Sequence, residues 1–172
     1  VSVVDDWTGV RPPLRLAFHA SAALVVAWAM LRQDATEGLS LPLALAIAGT
    51  AFAIVWGANV FNFMDGNDGL AAVMSICGFG AFGVAAMRAG MNADTYFALA
   101  AASSVFLVVN LPPARTFMGD GGSVGLGFLA AVFGVSGIRA DTWPGWFPPL
   151  VFLPFLADAT VTVMRRSARG DH

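Results

Sequence analysis

Five aspartates lie in three short segments that separate long apolar runs, and their side chains suggest one chemistry. The segments read VVDDWTG with Asp5 and Asp6, NFMDGNDG with Asp65 and Asp68, and FMGDGGS with Asp120. Carboxylates are hard oxygen ligands that suit Mg²⁺ or Mn²⁺, and Mg²⁺ is often held by one or two carboxylates together with substrate phosphates. The glycines beside them let backbone N–H groups approach phosphate oxygens. The pattern therefore predicts metal-assisted phosphoryl transfer.

The segment GDGGS precedes an apolar run of helical length, so its backbone amides are expected at a helix N-terminus. Such a terminus attracts phosphate, because its first N–H groups have no partner within the helix. Two roles are open for Ser123, which either caps this helix or contacts a phosphate.

The composition is that of a membrane protein. Of 172 residues, 58% are hydrophobic and only 12% are charged, and the mean hydropathy is +0.73. A soluble domain has about 25% charged residues. The basic residues are all arginine, and the net charge of −2 argues against a nucleic-acid partner. The single cysteine, Cys77, excludes an internal disulfide and is expected to be a small buried apolar residue.

Six apolar stretches are long enough, or nearly so, to cross a bilayer, which takes about 20 residues per helix. They are Leu14–Leu31, Pro42–Val60, Gly69–Met87, Thr95–Leu111, Gly121–Ile138 and Trp146–Met164. Small residues are frequent in them, as in CGFGAFG, and favour close helix packing in a membrane. The sequence therefore predicts an all-α, polytopic membrane helix bundle that forms a single domain over residues 1–172.

Successive spans reverse the chain, so the three acidic segments are expected on one side of the membrane. Residues 1–13, 61–68, 112–120 and 165–172 fall on this side, and residues 32–41, 88–94 and 139–145 fall on the other. The first side carries six arginines, counting Arg15 at the start of the first span, and the second carries three. Because cytoplasmic loops are enriched in Lys and Arg, the acidic segments are predicted to face the cytoplasm and to form one pocket.

Other interpretations of the acidic segments differ in the residues that they require. The DGNDG segment hints at a calcium-binding loop, but that loop ends in a glutamate, and the only glutamate is Glu37. A P-loop requires a lysine, and the chain has none. An ion- or proton-coupled transporter stays an alternative, because Asp158 lies inside the last predicted span.

Four motifs occur in an order and at separations that are typical of one family. They are VVDDWTGVRPPLRLAFH, NVFNFMDGNDGLA, PPARTFMGDGGSVGLGF and LPFLADATVTVMRRSARG. On these motifs the chain resembles the polyprenyl-phosphate N-acetylhexosamine-1-phosphate transferase family, glycosyltransferase family 4. The form NLPPARTFMGDGGS looks closest to members that initiate O-antigen and related surface glycans.

The resemblance implies a reaction and a location. Undecaprenyl phosphate attacks the β-phosphorus of a UDP-amino sugar, and the products are a lipid-linked sugar diphosphate and UMP. The implied cofactor is Mg²⁺, with Mn²⁺ as an alternative. The implied protein is a multi-pass protein that contacts the lipid of the bacterial plasma membrane and has its active site facing the cytoplasm. The sugar and the oligomeric state stay open, with a homodimer as one alternative.

The family fold implied by the resemblance is a ten-helix membrane bundle. The matching motifs would place this chain from just before the fourth helix to the end of the ninth. We therefore expect a fragment that lacks the N-terminal helices and the last cytoplasmic loop and that is inactive on its own.

Residue roles are carried over motif by motif. Asp5 and Asp6 match an aspartate pair with three roles left open: to deprotonate the lipid phosphate, to position it, or to help hold the metal. Asp120 matches the Mg²⁺ ligand of the family.

The segment NFMDGNDG matches a loop that contacts nucleotide and metal in the family. Asn62, Asp65 and Asp68 carry this match, and the two aspartates are expected to be catalytic. Asn62 and Asp65 share a helix face because they are three residues apart, and Asn62 is also expected to be a metal ligand. Substrate is also expected to contact the backbone N–H groups of Gly119, Gly121 and Gly122 and the hydroxyl of Ser123.

Overall fold

The computed structural model describes residues 11–32 and 40–169, and these ranges form seven helices. In chain order they are α1 (Pro12–Leu31), α2 (Leu41–Met64), α3 (Leu70–Arg88), α4 (Asp94–Asn110), α5 (Gly119–Arg139), α6 (Phe147–Val151) and α7 (Leu153–Arg169). The described fold is therefore all-α, as predicted. Asp5 and Asp6 lie outside the described residues.

Four of these helices, α1, α2, α3 and α5, are long and apolar enough to cross a membrane. α4 is a shorter apolar helix of 17 residues. The prediction of a polytopic helical membrane protein is confirmed. Cys77 differs from its prediction, because it is exposed on α3. A thiol behaves as a small, weakly polar side chain, so it suits the surface of an apolar helix as well as its buried face.

The sixth predicted span, Trp146–Met164, is not one continuous helix. The chain forms the short helix α6, turns at Phe152 and continues as α7. Proline explains the break, because Pro154 has no N–H with which to bond the carbonyl of Leu150, four residues earlier. The interruption therefore divides the predicted span into α6 and α7.

α2 is the central helix of the bundle and packs against α1, α5 and α7, while α3 packs against α4. Aromatic rings fill the space between these helices. The ring of Phe61 meets that of Phe155 edge-on at 5.0 Å between centroids, and Phe82 stacks on Trp143 at 4.8 Å. The indole N–H of Trp143 donates to the Gly134 carbonyl at 3.0 Å, so its polar group is satisfied in the apolar core. These contacts hold α7 against α2 and, through Trp143, α5 against α3.

α2 and α5 cross where both helices carry glycine. A Cβ atom added to Gly127 would lie 2.4 Å from the Gly57 carbonyl oxygen and 2.8 Å from Ala58 Cα. Both neighbours are backbone atoms, so a larger side chain would force the helices apart. Close backbone approach at small residues is a common source of helix association in membranes. Here it brings the C-terminal end of α2 against the N-terminal end of α5, where the two acidic segments begin.

We predict that Gly127→Ala destabilises the bundle. Its methyl group would overpack the crossing, at a cost of about 1–3 kcal/mol, whereas the better helix propensity of alanine returns about 1 kcal/mol. Gly125→Ala is the matched control, because Gly125 lies on the same helix and a Cβ there meets nothing within 4 Å. The measurement is the thermal unfolding midpoint of the full-length protein in detergent. Equal midpoints for the two variants would contradict the close crossing.

Candidate active site

The loop that carries Asp65 and Asp68 meets the loop that leads to Asp120 at one end of the bundle, and these are called the two acidic loops below. The loop after α2, residues 65–69, is joined to the loop before α5, residues 111–118, and to the first residue of α5 by hydrogen bonds that span 46 to 54 positions along the chain. The structure thus brings Asp65, Asp68 and the start of α5 into one cluster. The expectation that these segments share a face of the membrane protein agrees with this geometry.

The Asp65 carboxylate caps α5 from another part of the chain. It is only 5% exposed. Its Oδ1 accepts the backbone N–H of Met118 at 3.2 Å, and its Oδ2 accepts that of Gly119 at 2.9 Å. These N–H groups start a helix and have no acceptor within it, and a negative charge at this end is also favoured by the helix dipole. Asp65 therefore determines where α5 begins. The Gly119 N–H points to this carboxylate, and its expected role at a pyrophosphate stays a prediction.

Asp68 connects the same two loops closer to solvent. Its side chain is exposed, and Oδ2 accepts the backbone N–H of Ala114 at 3.1 Å. This bond draws the loop before α5 over the loop after α2. Asp68 is therefore accessible to a substrate, and its carboxylate is held in place by the hydrogen bond from Ala114.

Asn110 is a residue of this cluster that sequence reasoning missed. It ends α4 and is fully buried. Its Oδ1 accepts the Gly69 N–H at 3.0 Å, and its Nδ2 donates to the Thr116 carbonyl at 2.9 Å. The signal was present in FLVVNLPP, where one amide side chain sits between an apolar run and a proline turn. A buried amide must find hydrogen-bond partners, so such a residue has to bond elsewhere in the fold.

Ser123 and Asn62 join the interiors of α5 and α2. Ser123 is fully buried, and its Oγ lies 2.9 Å from Asn62 Oδ1 and 2.8 Å from the Gly119 carbonyl oxygen. Ser123 does not cap α5, because the N-cap residue is Met118. Its expected contact with a phosphate stays a prediction. The hydroxyl instead holds Asn62 against the first turn of α5.

Asp120, the second residue of α5, is paired with a cation from α1. Arg15 Nη1 donates to Asp120 Oδ2 at 2.5 Å, and the two side chains are 31% and 16% exposed. A charge-assisted bond at this partial burial is stronger than one on an open surface. It brings α1 to the same cluster and offsets part of the negative charge there.

The remaining predicted residues are glycines of the first turn of α5. Gly121 is exposed, whereas Gly122 is partly buried. A Cβ on Gly122 would lie 2.9 Å from Met118 Cβ, so the turn is tight at this point. Their expected contacts with a pyrophosphate stay predictions.

The oxygen donors suit a cation that arrives with a diphosphate. In the described part of the chain, no group of three or more His, Cys, Asp or Glu side chains is arranged to hold a metal ion. Mg²⁺ often takes only one or two carboxylates and completes its shell with water and phosphate oxygens. Asp120 and Asn62 offer a carboxylate and an amide carbonyl at adjoining helix ends. These residues therefore fit Mg²⁺ in that form.

An apolar cavity of about 340 Å³ lies beside the polar cluster. Residues of α2, α5, α6 and α7 line it, among them Phe52, Trp56, Phe61 and Phe155. Phe61 directly precedes Asn62 along α2.

The sequence matches a known family over most of its length. Residues 1–138 match the model of glycosyl transferase family 4. The chain belongs to this family. The matched part contains all three acidic segments and ends in α5, so α6 and α7 lie beyond it.

Individual relatives within the family are similar over much of this chain. A phospho-N-acetylmuramoyl-pentapeptide-transferase of Prochlorococcus marinus (strain MIT 9313) is 31% identical, and the alignment covers 81% of this chain and 43% of the relative. A protein of the same name from Synechococcus sp. (strain CC9605) is 34% identical, with 82% and 46% covered. A probable undecaprenyl-phosphate N-acetylglucosaminyl 1-phosphate transferase of Bacillus subtilis (strain 168) is 28% identical, with 96% and 49% covered. The chain spans less than half the length of each of these relatives.

We predict that Asp65→Asn weakens the start of α5. An amide has one oxygen, so one of the two backbone N–H groups would lose its acceptor and face an N–H₂ group instead. An unsatisfied buried donor costs about 1–3 kcal/mol. The measurement is hydrogen exchange at the amides of Met118 and Gly119, which should become faster, together with the thermal unfolding midpoint.

Asp158→Asn is the control for this change, because it removes the same charge from an exposed position on α7. It should leave both measurements near wild type. Unchanged exchange in Asp65→Asn would show that the carboxylate does not cap α5.

Proposed function

We propose that the protein transfers an amino-sugar 1-phosphate from a UDP-sugar to undecaprenyl phosphate, which releases UMP and starts a lipid-linked surface glycan. The observation that carries this proposal is the junction of the two acidic loops at one end of a membrane bundle, with Asp120 in the first turn of α5. The names of the relatives support the same class of reaction: one contains undecaprenyl-phosphate and N-acetylglucosaminyl 1-phosphate, and the others contain phospho-N-acetylmuramoyl-pentapeptide.

The reaction exchanges one phosphorus–oxygen bond for another. An oxygen of the lipid phosphate forms a bond to the β-phosphorus of the UDP-sugar. The bond from this phosphorus to the oxygen that bridges the two phosphates breaks, and UMP leaves with that oxygen. Little covalent chemistry falls to the protein, so its residues act by positioning and by charge.

The described residues divide this work between them. Asp120 and Asn62 would hold Mg²⁺, with Mn²⁺ as an alternative, and Asp65 and Asp68 border the same cluster. When bound, the ion neutralises negative charge that develops on the diphosphate. Arg15 brings a further positive charge to Asp120 and so makes the cluster less repulsive to phosphate. Asp5 and Asp6, outside the described residues, are proposed to act on the lipid phosphate or to help hold the ion.

The apolar cavity gives the lipid a place to lie. Aromatic side chains from α2 and α7 line this cavity, and one of them, Phe61, directly precedes Asn62 along α2. A polyprenyl chain is apolar, and its phosphate is polar, so a substrate with both parts suits a bundle that has an apolar cavity between its helices and a polar cluster at one end. This complementarity supports a lipid phosphate as acceptor.

The orientation and the pathway are also proposals. The excess of arginine near the acidic loops supports an active site on the cytoplasmic face of the bacterial plasma membrane. The form NLPPARTFMGDGGS supports a role in initiating O-antigen or a related surface glycan, with an N-acetylhexosamine as the sugar.

The transporter alternative depended on an ionisable residue inside the last span. α7 has Phe155 and Ala159 buried against the bundle, whereas Asp158 is exposed. An ionisable group that serves transport is expected to face the interior of the bundle or a water-filled cavity. The position of Asp158 therefore gives this alternative no support.

We predict that Asp120→Asn lowers turnover by about 100-fold or more, because the amide keeps the size of the side chain but binds a cation more weakly. The measurement is transfer of labelled sugar phosphate from UDP-N-acetylglucosamine or a related donor to undecaprenyl phosphate. The assay uses the full-length protein and a titration with Mg²⁺.

Two controls isolate the role of the carboxylate. Asp141→Asn, at the other end of α5, should retain wild-type turnover, because Asp141 is exposed and asparagine tolerates its φ of 52°. Arg15→Gln breaks the same ion pair but keeps the carboxylate, so it should leave the Mg²⁺ requirement unchanged. If Asp120→Asn has the rate and the Mg²⁺ dependence of wild type, Asp120 is not the metal ligand.

A further inference from the structure

The loop before α5 folds back onto the end of α4, and Asn110 lies at the base of this fold. The Arg115 N–H donates to the Val109 carbonyl at 2.9 Å, so five residues after Asn110 the chain has returned to α4. Asn110 is 0% exposed within this turn. Its side chain is therefore enclosed by backbone that belongs to the proposed site.

Both polar atoms of the Asn110 side chain bind backbone, and each binds a different acidic loop. Oδ1 accepts from Gly69, which directly follows Asp68, and Nδ2 donates to Thr116, which lies two residues before Met118. One rigid amide thus spans the two loops. An apolar residue here would leave a backbone N–H and a backbone carbonyl without their partner in a buried place, which is costly.

Gly69 is held in a conformation that this bond helps to fix. Its φ is +73°, in the left-handed region, and it is the N-cap residue of α3. Glycine adopts this conformation without steric cost but is also free to leave it. The bond from the Gly69 N–H to Asn110 restrains this freedom. Because Asp68 directly precedes Gly69, the same bond also restrains the backbone that carries the Asp68 carboxylate.

We propose that Asn110 is a positioning residue that sets the distance between the Asp68 loop and the start of α5. The effect on turnover that we expect rests on the proposed function, whereas the role of Asn110 in joining the two loops does not. Because the residue acts on backbone, its loss would displace both loops while every acidic side chain remains present. A misplacement of about 1 Å at a reacting group can reduce turnover by about 100-fold.

The variants are Asn110→Ala, which removes both bonds, and Asn110→Asp, which keeps the acceptor for Gly69 and replaces the amide donor to Thr116. The matched control is Asn92→Ala. Asn92 precedes the opposite end of α4, is exposed, and exchanges hydrogen bonds with Asp94 at the start of that helix. If Asn110→Ala fails to fold, Asn110→Asp provides the test.

Hydrogen exchange on the full-length protein tests the geometry without any assay of activity. Asn110→Ala should speed exchange in residues 65–70 and 111–119 and leave residues 96–107 of α4 as in wild type. Asn110→Asp should speed exchange mainly in residues 111–119. Faster exchange throughout the chain, or no change in either loop, would overturn the proposal.

Kinetics test the consequence for catalysis. Asn110→Ala should lower kcat by about 10- to 100-fold, with a smaller change in KM for the UDP-sugar, whereas Asn92→Ala should retain wild-type kcat. Combined with Asp68→Asn, Asn110→Ala should add little further loss, because both changes disturb the same loop. A wild-type kcat in Asn110→Ala, or independent losses in the double variant, would overturn a positioning role.

The two sets of measurements separate this inference from the proposed function. A wild-type protein that transfers no sugar phosphate contradicts the proposed function, and hydrogen exchange then decides alone whether Asn110 joins the loops. An active wild type with unaffected Asn110 variants contradicts only the inference.

Discussion

The first backbone N–H groups of α5 need acceptors that their own helix cannot supply, and the buried carboxylate of Asp65 supplies them. Much of the site's geometry follows from this contact. It fixes where α5 begins, and hence the place of Asp120 in the first turn and of Arg15, which pairs with it. It also ties the loop after α2 to the start of α5, although the bonded residues are 53 and 54 positions apart along the chain. An acidic residue that was expected to act in chemistry thus also maintains the structure.

This contact depends on helix packing in the apolar part of the bundle. The glycines at the crossing of α2 and α5 let the two backbones approach, and the ends of the helices then meet. Ser123 and Asn62 continue the same contact one turn closer to the acidic loops. The apolar crossing and the polar cluster are therefore consecutive parts of one interface, in which small residues are followed by hydrogen-bonding residues. A protein that must hold a charged substrate beside a lipid can use this arrangement, because the polar groups lie at the end of the bundle and not within it.

The sequence was sufficient to predict the membrane fold and the grouping of the two acidic segments that the structure describes, for a physical reason. Long apolar runs have few stable arrangements in a bilayer, and alternate connections must fall on the same side. Hydrogen bonds across the fold were not predictable in this way. Asn110 and Ser123 have local sequence contexts that do not reveal their partners, because those partners are backbone groups or side chains of distant segments. The break at Phe152 had a visible cause in Pro154, but hydropathy alone read Trp146–Met164 as continuous.

The central claim is that two distant acidic loops form one site on the cytoplasmic face, and sided cysteine labelling tests it most directly. In a Cys77→Ser background, single cysteines replace Asn67 or Thr116, which are exposed in the two loops, and Met91 or Ala140, which are exposed at the opposite helix ends. A maleimide that does not cross membranes is applied to intact cells and to inverted vesicles of cells that produce the full-length protein. The first pair should react only in inverted vesicles, and the second pair only in intact cells. Reaction of Asn67→Cys and Thr116→Cys from opposite sides, or of both from outside, would contradict the account.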